Sequence, residues 1–495
     1  MRFRSLLAVL LGGSVAVTVA NLLRDILLAA EFGAGREADI LFLAMSIPLF
    51  AISVGANAFR SVSVPALSVA HAAGEDFAKV VARRFILLAA GGAVVTMALL
   101  ALASGLLLVT PLPGLDAGYR QVFARFLAAI LPMYFLAGLV ELWQGPFQAW
   151  KTFLAPSLLR LGLPCGIMLG CWLVPGTTLL DVAIGGAAGT LAAVGIGLAL
   201  LRRLDLIPFA GTRPLPPDLA RSTRANFAAI VGATCITYAN PLVDQWVASF
   251  AGPGSVAMLG YAGRITGGVI TLVATALGQS LLVHYSRYIR DDNRAAVKTT
   301  YAAVIEVAAW LGSAVALGTW LLSDFAVSLF YERGQFTAET STAVAMLVDV
   351  YAIQFPIYWM SVACFTLIAA RSMNRVFLQI GGLLFAVNAA SDLALVRLAG
   401  LPGVALTTSI VYALSGLLLH RALRQAGHVD LAGRDLARIA MPLGLLVLGG
   451  VVIRTFQLRI APDGPPAEIA AAVALLALFG ALALPRVWRI FRQVR

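Results

Sequence analysis

Charged residues are scarce in this chain. Only 12% of its 495 residues are Asp, Glu, Lys or Arg, whereas soluble globular domains carry about 25%. This scarcity excludes an ordinary water-soluble protein. The sequence also has no glycine-rich phosphate-binding loop, no strand-rich region and no long polar segment that could form a catalytic domain. We therefore expect a protein that is not an enzyme.

Potential metal ligands and nucleophiles are equally few. The four cysteines all lie within apolar segments, and the four histidines are scattered along the chain without ligand spacing. These residues are Cys165, Cys171, Cys235 and Cys364, and His71, His284, His420 and His428. The pattern favours small core cysteines and predicts neither a zinc site nor a cofactor.

Long apolar runs dominate what remains. Hydrophobic residues make up 60% of the chain and the mean hydropathy is +0.90. A run of about 20 such residues crosses the hydrocarbon core of a bilayer as a helix. The sequence predicts about fourteen of these spans, at 5–29, 38–62, 84–110, 122–146, 156–174, 178–201, 225–249, 256–285, 299–322, 340–369, 376–396, 402–423, 436–454 and 466–485. We expect an all-α polytopic membrane protein whose first span is retained rather than cleaved as a signal.

Basic residues are distributed unevenly between the two sides of these spans. The net charge is +12. If the N terminus is cytoplasmic, the outside segments hold only Arg36, Arg120, Arg333, Arg397, Arg454 and Arg459. Such a bias places both termini in the cytoplasm. Basic charge then sets the topology and contacts anionic lipid head groups, so no nucleic-acid partner is expected.

A motif near the N terminus returns in the second half of the chain. Asn21–Asp25 matches Asn240–Asp244, and Pro132 with its neighbours matches Pro356 with its own, in the same order. Two halves with six spans each enter the membrane from the same side, which indicates a parallel repeat. We predict an N-terminal six-helix lobe at 1–203, a cytoplasmic linker at 204–224, a C-terminal six-helix lobe at 225–424, and two further helices with a basic tail at 425–495.

Several ionisable residues fall inside the predicted spans. Arg24 and Asp25 lie in the first span, Arg60 late in the second and Arg264 in the eighth. Such groups face a water-filled cavity or one another. One interpretation is a cationic cavity between the lobes that binds a phosphate, because arginine forms bidentate hydrogen bonds to phosphate. The other is structural pairing of Arg24 with Asp25 or Asp39.

A second polar set suits a cation. Asn388 and Asp392 are four residues apart and share a helix face, as do Val404 and Thr408. With Asp244 of the seventh span they offer carboxylate, amide, hydroxyl and backbone oxygens, which hard cations prefer. Polar contacts that join membrane helices would give the same spacing.

At these residues the chain resembles the MurJ/MviN family of lipid II flippases, within the superfamily that includes the MATE and Wzx-type exporters. The resemblance covers most of the chain. Its main points are Arg24 and Asp25, Phe32–Gly35, Asp39, Pro48, Pro65, Ala251–Arg264 and Phe330–Thr337.

The resemblance implies two six-helix lobes and a final helix pair that forms a groove for an isoprenoid tail. It also implies an inward-facing cationic cavity for a pyrophosphate, with Arg24, Asp39 and Arg264 at matching positions. Some members bind sodium, and the positions that fit their pattern are Asp244, Asn388, Asp392, Val404 and Thr408. Sodium is therefore a possible coupling ion.

Three positions depart from the family pattern. Thr18 replaces a basic residue, Ala51–Ser53 replaces a basic pair, and Asn57 replaces an acid. Arg60, on the same helix as Asn57, is positioned to compensate. We include Arg24, Asp25, Asp39, Asn57, Arg60 and Arg264 as candidate substrate-binding residues.

The expected function is a monomeric flippase in a bacterial inner membrane. Its partners are a polyprenyl-linked glycan and membrane lipids, with lipid II as the first candidate glycan and alternating access as the mechanism. The alternatives are a flippase for another polyprenyl-linked oligosaccharide, such as an exopolysaccharide or O-antigen unit, and a cation-coupled drug antiporter. Arginines in both halves favour an anionic substrate over a drug cation. A membrane glycosyltransferase would require larger outside loops.

Overall fold

The computed structural model describes residues 3–109, 117–152, 154–174, 176–207, 217–431, 433–458, 460 and 466–494. Its regular structure within these residues is helical. In hydrocarbon no water satisfies the backbone, so helices that pair their own N–H and C=O groups are the expected solution. The chain divides into two units, Met1–Leu242 and Val243–Arg495.

The first unit contains seven helices and most of an eighth among the residues described. They are α1 (Phe3–Phe32), α2 (Arg36–Ala73), α3 (Glu75–Val109), α4 (Ala117–Ala149), α5 (Leu154–Leu159), α6 (Gly162–Leu173), α7 (Leu179–Arg203) and α8 (Pro217–Ala248), whose last turns belong to the second unit.

The second unit continues with eight more helices in its described part. They are α9 (Ser255–Arg290), α10 (Arg294–Tyr331), α11 (Ala338–Ala352), α12 (Gln354–Ala370), α13 (Asn374–Ala399), α14 (Leu401–Gln425), α15 (Gly433–Phe456) and α16 (Pro466–Val494).

The number of candidate membrane crossings comes close to the number predicted from the sequence. Within the described residues, 12 helical segments are long and apolar enough to cross a membrane, with α5–α6 and α11–α12 each counting as one. α1 and α9 are 30 and 36 residues long and also exceed the length that a crossing needs. The predicted fourteen is thus close to the number of candidate crossings, and the predicted fold class is confirmed.

Helix packing in the two units follows the same order. In the first unit α4 packs against α2, α3 and α7, and in the second α12 packs against α9, α10 and α14. The pair α6–α7 corresponds to α13–α14 in the same way. The predicted repeat is thus visible in the packing. The predicted linker at 204–224 includes 208–216, which lie outside the described residues, and the predicted lobe boundaries stay predictions.

The last two helices, α15 and α16, pack against α10 of the second unit. Trp310 and Leu317 of α10 form a buried apolar cluster with Leu446 of α15 and Phe479 of α16. The Trp310 and Phe479 rings meet edge to face with centroids 5.5 Å apart. The guanidinium of Arg486 lies 4.8 Å from the centre of the Trp310 ring. The final pair is therefore attached to one unit through its own apolar core.

One predicted span is much shorter than the helix that contains it. The second span was predicted at 38–62, whereas α2 runs over Arg36–Ala73 with Pro48 and Pro65 inside it. Backbone hydrogen bonding continues beyond the apolar stretch because the later turns are packed as well. Leu67 and Ala70 are fully buried in the apolar cluster shared with α3 and α4. The prolines therefore lie within one helix and do not mark its ends.

A seam of glycines joins α6 and α7. A Cβ on Gly185 would lie 2.5 Å from the carbonyl oxygen of Gly166, and one on Gly162 would lie 2.7 Å from that of Gly189. Backbones can approach this closely only when both faces lack side chains, as in small-residue helix pairs in membranes. The spacing of four residues between these glycines keeps the seam on one face of each helix.

We expect Gly185→Ala to lower the thermal unfolding midpoint of the purified protein, because its methyl group would clash with backbone atoms that cannot move away. Overpacking of this kind costs about 1–3 kcal/mol. Gly195→Ala on the same helix is the matched control, since a Cβ there meets no atom within 4 Å. The midpoints are measured by light scattering or fluorescence in detergent. Equal values for the two variants would contradict the close backbone contact between α6 and α7.

Candidate substrate and ion sites

Arg24 and Asp25 form a buried ion pair in α1. The Nε and Nη2 atoms of Arg24 donate to Oδ1 of Asp25 at 3.0 and 2.7 Å. The two residues are only 5% and 4% exposed. Of the two interpretations drawn from the sequence, structural pairing of Arg24 with Asp25 describes the observed contact.

This pair changes what Arg24 can do chemically. A neutral ion pair is far cheaper to hold in an apolar helix than an isolated charge. A guanidinium has five N–H donors in a planar fork, and Asp25 accepts from two of its nitrogen atoms. An anion reaching Arg24 would therefore share the guanidinium with Asp25 or displace it. The pair is compatible with reversible binding of a phosphate.

The other candidate residues of the first unit lie on α2. Asp39 is buried in the first turn of the helix, where a carboxylate complements the helix dipole. Asn57 and Arg60 are half-buried and three residues apart, so they share one side of α2. The backbone at Arg60 passes close to α4, since a Cβ built on Gly145 would lie 3.8 Å from the Arg60 Cα. Close packing thus fixes the position of the Asn57–Arg60 turn.

Arg264 lies on α9 of the second unit and is exposed. One turn earlier, Tyr261 is fully buried, with its ring 4.9 Å from that of Tyr331 and 5.3 Å from that of Phe336. The chain turns between Tyr331 and Phe336 at Gly334, whose φ angle is 59°. The two motifs of the second half that carry the family resemblance therefore meet in one aromatic cluster, which holds the helix that carries Arg264.

Asp244, Asn388 and Asp392 come together in the second unit. Nδ2 of Asn388 donates to Oδ1 of Asp244 at 2.7 Å and to Oδ2 of Asp392 at 3.1 Å. Asp392 is completely buried, and its Oδ1 has no hydrogen-bond partner among the described residues. Residues from α8 and α13 thus form one acidic centre bridged by a single amide.

The helix α14 also contributes to this acidic centre. Val404, predicted from the sequence as a source of a backbone oxygen, is completely buried on this helix. Thr407 is also completely buried, and its side chain interacts with the Asp392 carboxylate. Thr408, the threonine chosen from the sequence, is only half-buried. The neighbouring residue Thr407 is therefore an additional candidate that the spacing argument missed.

Two tyrosines near the acidic centre were also missed. Tyr351 of α11 is buried close enough to Asp244 and Asp392 for their charges to act on it, and Tyr412 of α14 is close to Asp244. Tyr412 lies four residues after Thr408, so the face defined by the i, i+4 spacing could have revealed it. Nothing in the sequence indicates that Tyr351 faces this centre, because it comes from a separate helix.

The donor set fits a small hard cation. The described part of the chain contains no group of three or more His, Cys, Asp or Glu side chains arranged around a metal position. The centre instead offers two carboxylates and an amide, and Oδ1 of Asp392 needs a positive partner. Carboxylate and carbonyl oxygens are the ligands that hard cations prefer. Sodium is thus compatible with these residues.

The chain matches a known family over most of its length. The family model described as lipid II flippase MurJ matches residues 28–468. A probable lipid II flippase MurJ from Rhizobium tropici is 25% identical over 467 residues, covering 89% of this chain and 85% of that protein. The lipid II flippase MurJ of Burkholderia cenocepacia is 26% identical over 512 residues, covering 98% and 97%. The resemblance drawn from the motifs is confirmed.

Solved structures agree on the fold. A lipid II flippase MurJ in an inward closed conformation superposes with a TM-score of 0.75 at 19% identity, covering 95% of this chain and 97% of that one. An inward-facing multidrug resistance transporter of the MATE family gives a TM-score of 0.69 at 16% identity, covering 83% and 95%. At these identities the likeness extends to the fold alone.

We expect Asn388→Ala to destabilise the protein by about 1–3 kcal/mol, because both carboxylates would lose the donor that bridges them. The thermal midpoint of the purified variant should fall below that of Asn226→Ala, which changes an exposed asparagine on α8. A midpoint equal to that of the control would show that the Asn388 amide does not stabilise the folded protein.

Proposed function

This chain belongs to the lipid II flippase MurJ family, and we propose that it transports lipid II, an undecaprenyl-pyrophosphate-linked glycan, across a bacterial inner membrane. The family model spans residues 28–468, which include the helices of both units. That coverage is the observation that carries the proposal. The chain is a multi-pass membrane protein, and we place both of its termini in the cytoplasm on the distribution of basic residues.

Arg24 is the residue that we propose as the main contact to the pyrophosphate. It is an arginine held inside an apolar helix, and Asp25 neutralises it when no head group is bound. A doubly charged phosphate offers more acceptors than one carboxylate, and a bidentate contact then replaces part of the ion pair. Asp25, Asp39, Asn57 and Arg60 are supporting candidates in the first unit. Arg264 is the candidate in the second unit.

Transport by alternating access requires an energy source that biases one conformation. A ligand shifts such an equilibrium only by its different affinity for the two states. We propose sodium at the centre formed by Asp244, Asn388 and Asp392, with a backbone oxygen from Val404 and a hydroxyl from Thr407 or Thr408. The unpartnered oxygen of Asp392 supports this assignment. A bound sodium ion would offset one of the two carboxylate charges, reduce their repulsion and so favour the conformation in which they lie together.

One observation supports a second candidate, a flippase for another polyprenyl-linked oligosaccharide. The family resemblance leads us to expect basic residues shortly after Pro48, but Ala51 and Ile52 stand there. Fewer cationic groups then face the substrate. A head group with a smaller negative charge or a different sugar would suit such a site.

Complementation of a strain depleted of its lipid II flippase tests the proposal. The wild-type chain should restore growth, and Arg24→Ala should not, because loss of a charged hydrogen bond weakens head-group binding about 10–100-fold. Arg397→Ala, an exposed arginine at the end of α13, is the matched control and should complement. Absence of growth with wild-type protein that is present in the membrane would exclude lipid II and favour the second candidate.

Sodium binding is tested separately by thermal stability. A ligand that binds only the folded state raises stability by about 2.7 kcal/mol at a concentration of 100 Kd. We expect sodium chloride, compared with choline chloride at equal ionic strength, to raise the unfolding midpoint of the wild type. Asp392→Asn should abolish this difference, and Glu339→Gln, which changes an exposed carboxylate on α11, should retain it. Retention of the sodium effect in Asp392→Asn would refute the site.

A further inference from the structure

A long apolar groove runs along the first unit. Its volume is about 560 Å³, within the range of small-molecule sites. Its walls come from α2, α3 and α4 and from the first turns of α8. Glycines on two of the walls, Gly55, Gly91 and Gly92, would each place a Cβ more than 4 Å from any atom. The groove is therefore open at these three glycines, where no neighbouring side chain fills it.

The shape of the groove matches a hydrocarbon chain. On α3 the lining residues extend from Phe85 to Met97. At 1.5 Å per residue this stretch is about 18 Å long. Leu88 and Val95, at the edge of the groove, are 47% and 59% exposed, so the groove opens sideways. The helices that form the groove contain segments long and apolar enough to cross a membrane, so its sideways opening offers a hydrocarbon chain a route of entry.

Among the described residues that line the groove, Arg224 is the charged one. It lies about two turns into α8, at the end of the bundle where α3 begins. The connection after α7 reaches that end, since Nη2 of Arg83 on α3 donates to Oδ1 of Asp205 at 2.6 Å. Arg224 is exposed. The groove is therefore apolar along its length and basic at one end, which is the end predicted to be cytoplasmic.

We propose that this groove holds one acyl chain of an anionic phospholipid from the cytoplasmic leaflet, with the phosphate of that lipid on Arg224. An acyl chain fills an apolar slot that opens sideways, and an arginine fork at its end matches a phosphate by charge and geometry. The groove lies wholly within the first unit. Binding of such a lipid does not depend on which head group the protein transports.

The test is native mass spectrometry of the purified full-length protein titrated with phosphatidylglycerol or phosphatidylcholine. The wild type should bind one phosphatidylglycerol more tightly than phosphatidylcholine. Gly92→Leu should reduce phosphatidylglycerol binding about tenfold, because the new side chain fills the groove. Gly105→Leu is the matched control: it lies on the same helix, is exposed, meets no atom within 4 Å and is not part of the lining.

The charge is tested with a second pair of variants. Arg224→Gln should lower the affinity for phosphatidylglycerol about tenfold, to that for phosphatidylcholine, since a hydrogen bond to a charged partner is lost. Arg221→Gln, one turn earlier on α8, exposed and outside the lining, should leave the preference intact. Gly55→Leu on the opposite wall serves as the blocking variant if Gly92→Leu fails to fold.

Two outcomes would overturn the proposal. One is unchanged phosphatidylglycerol binding when a folded blocking variant fills the groove. The other is displacement of phosphatidylglycerol by one equivalent of undecaprenyl phosphate that binds tightly to the wild type and not to Gly92→Leu. That second result would assign the groove to the isoprenoid tail of the transported lipid instead of a resident phospholipid.

Discussion

A charge inside an apolar helix needs a partner within reach, and the proposed function depends on how this protein meets that requirement. Without a partner such a charge costs at least ~2.5–3.5 kcal/mol near the middle of a membrane. Arg24 is matched by Asp25 on the same helix. Asp244 and Asp392 share the amide of Asn388 and leave one carboxylate oxygen unsatisfied. The first arrangement is thus paired within one helix, and the second is not fully paired.

These two arrangements occupy equivalent places in the repeat. Asp25 and Asp244 end the two copies of one motif, but Val243 stands where the first copy has Arg24. Without an arginine beside it, Asp244 turns to Asn388 of another helix. The two copies of the motif thus carry an ion pair in the first unit and part of an acidic centre in the second. We interpret this divergence as a division between head-group recognition and ion coupling.

The fold class could be predicted from the sequence because the apolar runs, the distribution of basic residues and the repeat are all visible in the order of the residues. It also placed Asn388 and Asp392 together, since their spacing defines a helix face. It could not decide between Thr407 and Thr408, which depends on the rotation of α14 against α13, nor identify Tyr351, which comes from another helix. The apolar groove could not be predicted from the sequence either. Its walls come from four helices, and its open space depends on residues without a side chain, such as Gly92.

The central claim is that a buried, neutralised arginine receives the pyrophosphate of a lipid carrier. The most direct test is translocation of fluorescent lipid II by the purified protein in liposomes, followed by quenching from the outer face. We expect flipping well above that of empty liposomes, and its loss when Arg24 is replaced by alanine in a protein that still folds. Flipping at the rate of empty liposomes by wild-type protein, or undiminished flipping by the folded Arg24→Ala variant, would contradict the account.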